Sequence, residues 1–255
     1  MDMAAANMAA MSSNPQSTKA ISPGYAANMA GVAAVDRALS IVKTLEKARR
    51  PLTLTEIAEA TELYPSTVLR LMASLEKSTL VVRHRDQRYG LGPLAFLVGK
   101  AYEATTRMER QLLPVMAELV RQGAESPSFH VRSDAGNRLC LLRLDSNHPT
   151  VDRVRAGDRL PIDRGAAGKV LLADGARIED AHDDYARLRV SLGERDPSCA
   201  AIAGPVFGPG DELMGSLSLS GPMERFHEEA LEAMKPLLLH ACREATNALG
   251  GEWAR

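Results

Sequence analysis

The chain has 255 residues, 45% of them hydrophobic and 25% charged, and a net charge of −1 at pH 7. That length supports two domains with full cores, and the near-neutral balance excludes a protein that holds nucleic acid or an anionic membrane by overall charge. The three cysteines, Cys140, Cys199 and Cys242, are too few and too far apart for a disulfide framework or a metal cluster, which fits a reducing cytoplasm; no apolar run is long enough to span a membrane.

Residues 1–30 are rich in Ala, Met, Ser and Asn and lack a basic start followed by an apolar core. They read as a disordered tail rather than a signal peptide. Ordered structure is expected from Gly31, with a first helix carrying Val35, Leu39, Val42 and Leu45 at helical spacing and ending at Arg49-Arg50-Pro51. Thr53-Leu54-Thr55-Glu56 has the form of a capping box and opens a short second helix. Leu63-Tyr64-Pro65 breaks it, and Pro65 is tolerated in the first turn of a third helix. The stretches Leu80–Val82 and Arg88–Leu91, joined by the polar His84–Gln87, predict a hairpin.

The third helix points to DNA. Val68, Leu71, Met72 and Leu75 form its apolar face, leaving Thr67, Arg70, Ser74 and Lys77 on a polar, cationic one suited to a major groove. Arg70 can pair bidentately with guanine, and Tyr64 and Ser66 lie at the helix start, where phosphate is favoured. Thr53 stands in the same position at the second helix. Arg83, Arg85 and Arg88 make the hairpin basic, so that Leu63–Leu91 holds five Lys and Arg against two acids. A charged helix face is usually only solvated; helix, turn, helix and basic hairpin in that order favour a winged helix-turn-helix on double-stranded DNA. A winged helix that binds protein is the alternative.

Beyond the hairpin, Pro93–Arg107 is expected to form a connecting helix and Arg110–Gln122 another. Strands follow at Phe129–Val131, Leu139–Leu144, Val151–Val154, Ala200–Phe207 and Leu213–Ser220. A helix opens at Gly165–Lys169, and a terminal helix runs from Glu224 to Leu249. The fold class is therefore α+β. Ser218 and Ser220 share one strand face and Leu217 and Leu219 the other; Cys199 and Ala201 likewise share a face. The small residues Gly165-Ala166-Ala167-Gly168 suit a helix start that receives a carboxylate on free backbone N–H groups, or simply close packing. An enzyme finds little support. The Gly165–Lys169 stretch lacks the glycine spacing and hydroxyl residue of a phosphate loop, no Gly-x-Ser-x-Gly elbow occurs, and His182-Asp183-Asp184 reads as a solvated polar stretch.

Val35-Asp36-Arg37-Ala38-Leu39, Leu54-Thr55-Glu56-Ile57-Ala58, Pro65-Ser66-Thr67-Val68-Leu69-Arg70-Leu71 and Arg88-Tyr89-Gly90-Leu91-Gly92 together resemble the IclR family of bacterial transcription regulators. The likeness resumes at Gly157–Pro161, Ala167–Ala173, Ile202–Val206 and Leu217–Pro222, and so covers almost everything after Gly31. It implies a winged helix-turn-helix over 31–92, a linker helix over 93–109 and a GAF-like α/β effector-binding domain over 110–255. It also implies a homodimer or tetramer, usually a repressor, whose hold on an inverted-repeat operator is modulated by a small organic acid. By the same resemblance, effector contacts fall at Ala166, Ala167, Cys199, Ala201, Ser218 and Ser220, with Leu160 as an apolar wall and Glu194 at an acidic ligand-side position. No catalytic residue, metal or cofactor is implied. The chain departs from the family pattern at Pro65, where a basic residue is usual, at Asp163, where His is common, and in a shortened 174–191 segment. A constitutive DNA binder without ligand sensing is thus a second alternative.

Overall fold

The computed structural model describes residues 31–173 and 183–253. The expected disordered tail lies outside them, as does the first half of the shortened 174–191 segment. The chain divides into two units, Met1–Gly99 and Lys100–Arg255.

In the first unit, α1 (Ala33–Ala48), α2 (Leu54–Thr61) and α3 (Pro65–Lys77) are followed by strands β1 (Val81–Arg83) and β2 (Tyr89–Leu91). Ile41, Leu45, Ile57, Val68, Met72, Leu75, Val81 and Tyr89 close one small core. The expected stripe on α1 is corrected at its N-terminal end: Val35 and Leu39 are 53% and 47% exposed. The buried pair is Ile41 and Leu45, with Ala38 and Val42 packed beside it, because the three-helix core reaches only the second half of α1. The antiparallel β1–β2 hairpin gains a third edge where Leu52 and Tyr89 exchange backbone hydrogen bonds of 2.9 and 2.7 Å. α4 (Pro93–Thr106) runs through the boundary between the units and has no buried residue.

The second unit is built on a six-stranded antiparallel sheet in the order β5-β4-β3-β8-β7-β6. The strands are β3 (Ser126–Arg132), β4 (Asn137–Arg143), β5 (Arg159–Pro161), β6 (Arg189–Leu192), β7 (Cys199–Phe207) and β8 (Leu213–Pro222). Two long helices, α5 (Met108–Arg121) and α7 (Glu228–Ala248), share the main core with Phe129, Ile202, Val206, Leu217 and Leu219. The short α6 (Ala166–Leu172) forms a separate cluster with Ala203 and Ala201. Alternation along β7 and β8 thus serves two layers. Leu217 and Leu219 join the main core, while Ser218 and Ser220 turn to the other face.

The strand expected at Val151–Val154 does not form; β5 lies further on at Arg159–Pro161. Asp152 and Val154 are 7% and 6% exposed in a loop that turns both side chains inward. α7 starts at Glu228 rather than Glu224, after a 3₁₀ turn over Met223–Arg225, and the His227 ring accepts the Ala230 N–H as its cap. Among the described residues no helix is long and apolar enough to cross a membrane.

Candidate DNA interface and effector cavity

The helix-turn-helix is set by local chemistry. The Thr53 hydroxyl accepts the Glu56 N–H at 3.2 Å, and the Glu56 carboxylate accepts the Thr53 N–H at 2.7 Å, closing the expected capping box. That backbone hydrogen bond, reinforced by the Arg50 side chain, lowers the Glu56 pKa to about 2. Glu62 then adopts a left-handed conformation (φ 55°) that ends α2, and Tyr64 with Pro65 starts α3.

α3 buries Val68, Met72 and Leu75. Tyr64, Ser66, Arg70, Ser74 and Lys77 are exposed, and Thr67 is half-buried beside them. Tyr64, at 82% exposure, has its ring in solvent at the helix start. Among the described residues Arg70 and Lys77 make no ion pair, so their charge is available to a partner. In the hairpin, Arg83 stacks on Tyr89 with its guanidinium carbon 5.6 Å from the ring centre. Arg85 is exposed, and Arg88 stands 3.8 Å from Asp86, a long and exposed pair worth little in water. Thr53 is already engaged as a cap.

In the second unit, the expected effector residues come together from four elements. Leu160, Ala166, Ala167, Cys199, Ala201, Ser218 and Ser220 line one cavity of about 40 Å³, or about 410 Å³ when its open mouth is counted. Glu194 is not among the lining residues. Its carboxylate accepts the Gly165 N–H at 3.2 Å and pairs with Lys169, whose hydrogen bond is the main cause of the lowered Glu194 pKa. The Gly165 N–H, just before α6, therefore already has an acceptor, and α6 itself is only seven residues long.

The sequence reading missed the charged lining: His130, Arg138, Asp152 and Arg195. Behind it, Arg143 donates to Asp152 and, at 3.0 Å, to the Ser220 hydroxyl. Arg195 stands 3.6 Å from the other Asp152 oxygen. Arg138 donates to the carbonyls of Pro161 and Arg164, and burial lowers its pKa to about 10, still leaving it cationic at neutral pH. His130 is pressed down to about 3 by burial first, then by Arg138, Arg143 and Arg195; it is neutral, with Nε2 3.1 Å from the Ser128 hydroxyl. That hydroxyl is in turn 3.1 Å from Ser218. Cys199 contributes a half-buried thiol.

Of the stretch read as solvated, His182 lies outside the described residues. Asp183 caps the 3₁₀ turn Asp184–Arg187, and Asp184 holds Arg243 and the Trp253 ring N–H. Both acids are structural.

The three-helix core, the hairpin and the exposed polar face of α3 define a winged helix-turn-helix, a DNA-binding class. The IclR helix-turn-helix domain family matches residues 34–85. Over 243 residues the chain is 27% identical to the HTH-type transcriptional regulator BhcR of Paracoccus denitrificans, covering 84% of this chain and 86% of that one. It is 20% identical to the transcriptional repressor IclR of Escherichia coli, covering 86% and 91%. An IclR homologue from Microbacterium hydrocarbonoxydans, crystallised in complex with 4-hydroxybenzoate, shares the fold with a TM-score of 0.65 at 18% identity, over 85% of this chain and 98% of that one. The chain therefore carries an IclR-type helix-turn-helix and is similar over most of its length to transcription regulators of the IclR family.

Proposed function

We propose that this regulator binds an inverted-repeat operator as a homodimer, that it acts as a repressor, and that a small organic acid in the cavity shifts its operator affinity. The observation that carries the sensing part is the cavity itself: a mostly buried pocket with Arg138 and Arg195 in its wall and Asp152 as its one carboxylate. The repressor role rests on the similarity to the Escherichia coli repressor, and the acid on the 4-hydroxybenzoate held by the Microbacterium homologue. The cavity gives the acid reading a physical basis that differs from the expected one. The anion is met by guanidinium groups beside the start of α6, and Ser218, Ser220 and Cys199 complete the polar wall while Leu160, Ala166, Ala167 and Ala201 limit its size. Thermal-shift screening of carboxylic and aromatic acids, followed by titration of hits against operator DNA, tests the coupling. A hit that leaves operator affinity unchanged refutes it, because a ligand shifts an equilibrium only by its differential affinity for the two states.

On the DNA side, Arg70 reads a base edge. Tyr64, Ser66, Thr67 and Ser74 hold phosphate or sugar around it, Arg83, Arg85 and Arg88 hold the backbone to either side, and Thr53 contributes by fixing the start of α2 as its cap. Arg70→Ala is expected to cost about 1–3 kcal/mol on the preferred site and to relax its sequence preference. Fluorescence anisotropy on the selected site and on a scrambled one separates the cases: equal losses on both assign Arg70 to backbone. Binding should also weaken steeply with salt, which distinguishes phosphate contacts from an apolar protein-interaction surface.

The dimer rests on α4. It exposes Phe96, Leu97, Val98 and Tyr102 at 66%, 59%, 58% and 48%, a concentration of large apolar side chains that suits a partner helix. A recognition helix covers only a few base pairs, so two-fold pairing supplies the specificity. Light scattering at binding concentration is expected to give a particle of twice 27.5 kDa, or of four times that mass if dimers pair. A strictly 27.5 kDa particle overturns the assembly.

A further inference from the structure

We infer that the cavity is built for a short hydroxy acid, a ligand presenting a carboxylate and a neutral hydroxyl donor together. The inference rests on the acid-sensing reading above and narrows it. Its basis is what the cavity-lining side chains lack. Among the described residues three of their buried atoms have no hydrogen-bond partner: Arg138 Nε, Asp152 Oδ2 and His130 Nδ1. The first is a donor, the second an acceptor, and the third either one according to the ring tautomer. Buried polar groups are nearly always paired, so such a cluster in one cavity wall marks where a ligand supplies the partners.

The three atoms set different demands. Arg138 has no carboxylate within ion-pair distance among the described residues, only the carbonyls of Pro161 and Arg164. Its open Nε–H, with Arg195 nearby in the same wall, asks for an anion. Asp152 is fully buried and gives one oxygen to Arg143. Its other oxygen has only Arg195 at 3.6 Å, which leaves it to accept from a ligand donor. A simple carboxylate satisfies the guanidinium groups but brings a second acceptor beside Asp152. A hydroxyl on the carbon next to the carboxylate supplies the missing donor.

Charge excludes the other kind of donor. Arg138, Arg143 and Arg195 surround a single buried carboxylate, and His130 is neutral. Even with Asp145 at 3.2 Å from Arg143 counted, an ammonium group would enter a cluster with an excess of positive charge, so an amino acid is disfavoured against the hydroxy acid of the same skeleton. Size sets the chain length. A cavity of about 40 Å³ holds roughly three waters, which suits an acid of two to four carbons.

The test is calorimetric titration of the full chain with a matched series: lactate, propionate and alanine, which differ only in the group beside the carboxylate. Lactate is expected to bind at least about tenfold tighter than either of the others, the discrimination of a site built to pair a hydroxyl. Arg195→Gln, at a position whose side chain is 26% exposed, should fold normally and lose about tenfold or more of lactate affinity. Asp152→Asn should shrink the preference for lactate over propionate. If the loss of the Arg143 partner prevents that variant from folding, the ligand series and Arg195→Gln still decide. Equal affinity for lactate and propionate, or an undiminished lactate affinity in Arg195→Gln, overturns the inference while leaving acid sensing in place. If lactate fails but another acid in the wider screen binds, the inference falls alone. If no acid binds, both fall.

Discussion

Replacing Arg143 with methionine is expected to cost the C-terminal unit about 3–5 kcal/mol, because it strands a buried carboxylate. The Arg143 side chain is 5% exposed and that of Asp152 0%. One guanidinium serves Asp152, the Ser220 hydroxyl at 3.0 Å and Asp145 at 3.2 Å. Methionine fills similar space but offers no donor, leaving Asp152 only Arg195 at 3.6 Å. Urea unfolding followed by circular dichroism reads the loss. The double variant Arg143→Met with Asp152→Leu should recover most of it, since removing both charges also removes the desolvation penalty that breaking one side exposes. A single variant within about 1 kcal/mol of the parent would mean that water reaches Asp152, and the cavity would then be wetter and less selective than its geometry implies. The prediction therefore bears on function as well as stability: the pair that holds the sheet to the 144–158 loop also fixes the cavity acid in place.

The parts of this protein that could be read from sequence are those governed by local rules. The capping box at Thr53 and Glu56, the turn at Tyr64-Pro65 and the apolar face of α3 depend on residues within one or two turns of each other, and the structure shows each where spacing put it. The alternation of Ser218 and Ser220 against Leu217 and Leu219 is equally local. The outer half of α1 was misjudged because periodicity says which side chains share a face, not how far a neighbouring core extends along it; Val35 and Leu39 share the helix but not the core. The 151–154 stretch was misjudged for the opposite reason, since two inward side chains in a loop imitate a strand. The cationic wall was invisible. Arg138, Arg143, Asp152 and Arg195 come from one strand and two loops, and each taken singly reads as a surface charge. Only the fold makes them neighbours and buries them, and it is burial that turns ordinary charges into a recognition element.

Gly168→Ala is expected to destabilise the same unit by about 2–3 kcal/mol, against the usual sign for glycine to alanine in a helix. Within a helix that change normally stabilises by about 1 kcal/mol, by restricting the unfolded chain and improving propensity. Here a Cβ would overlap the backbone carbonyl oxygen of Ile162 and come within 2.8 Å of the Arg138 guanidinium. The carbonyl cannot rotate aside, because the 161–164 backbone is tied down: Ile162 N–H donates to the Gly136 carbonyl at 3.0 Å, and Arg138 holds the carbonyls of Pro161 and Arg164. α6 must therefore lift away from the sheet, or Arg138 must leave its site. Gly99→Ala supplies the control. Gly99 lies in α4 with nothing within 4 Å of an added Cβ, so only the propensity gain remains and the variant should be unchanged or slightly more stable. Thermal unfolding of the two variants beside the parent gives opposite shifts if the close approach is real. The functional readout follows from the same contact. Displacing Arg138 removes the open guanidinium donor that meets the anion, so Gly168→Ala should weaken binding of any acid that binds the parent, whatever the acid's other substituents. A variant that keeps both its melting temperature and its acid affinity would show that α6 does not rest on Arg138, and the positive wall of the cavity would have to be drawn from Arg195 alone.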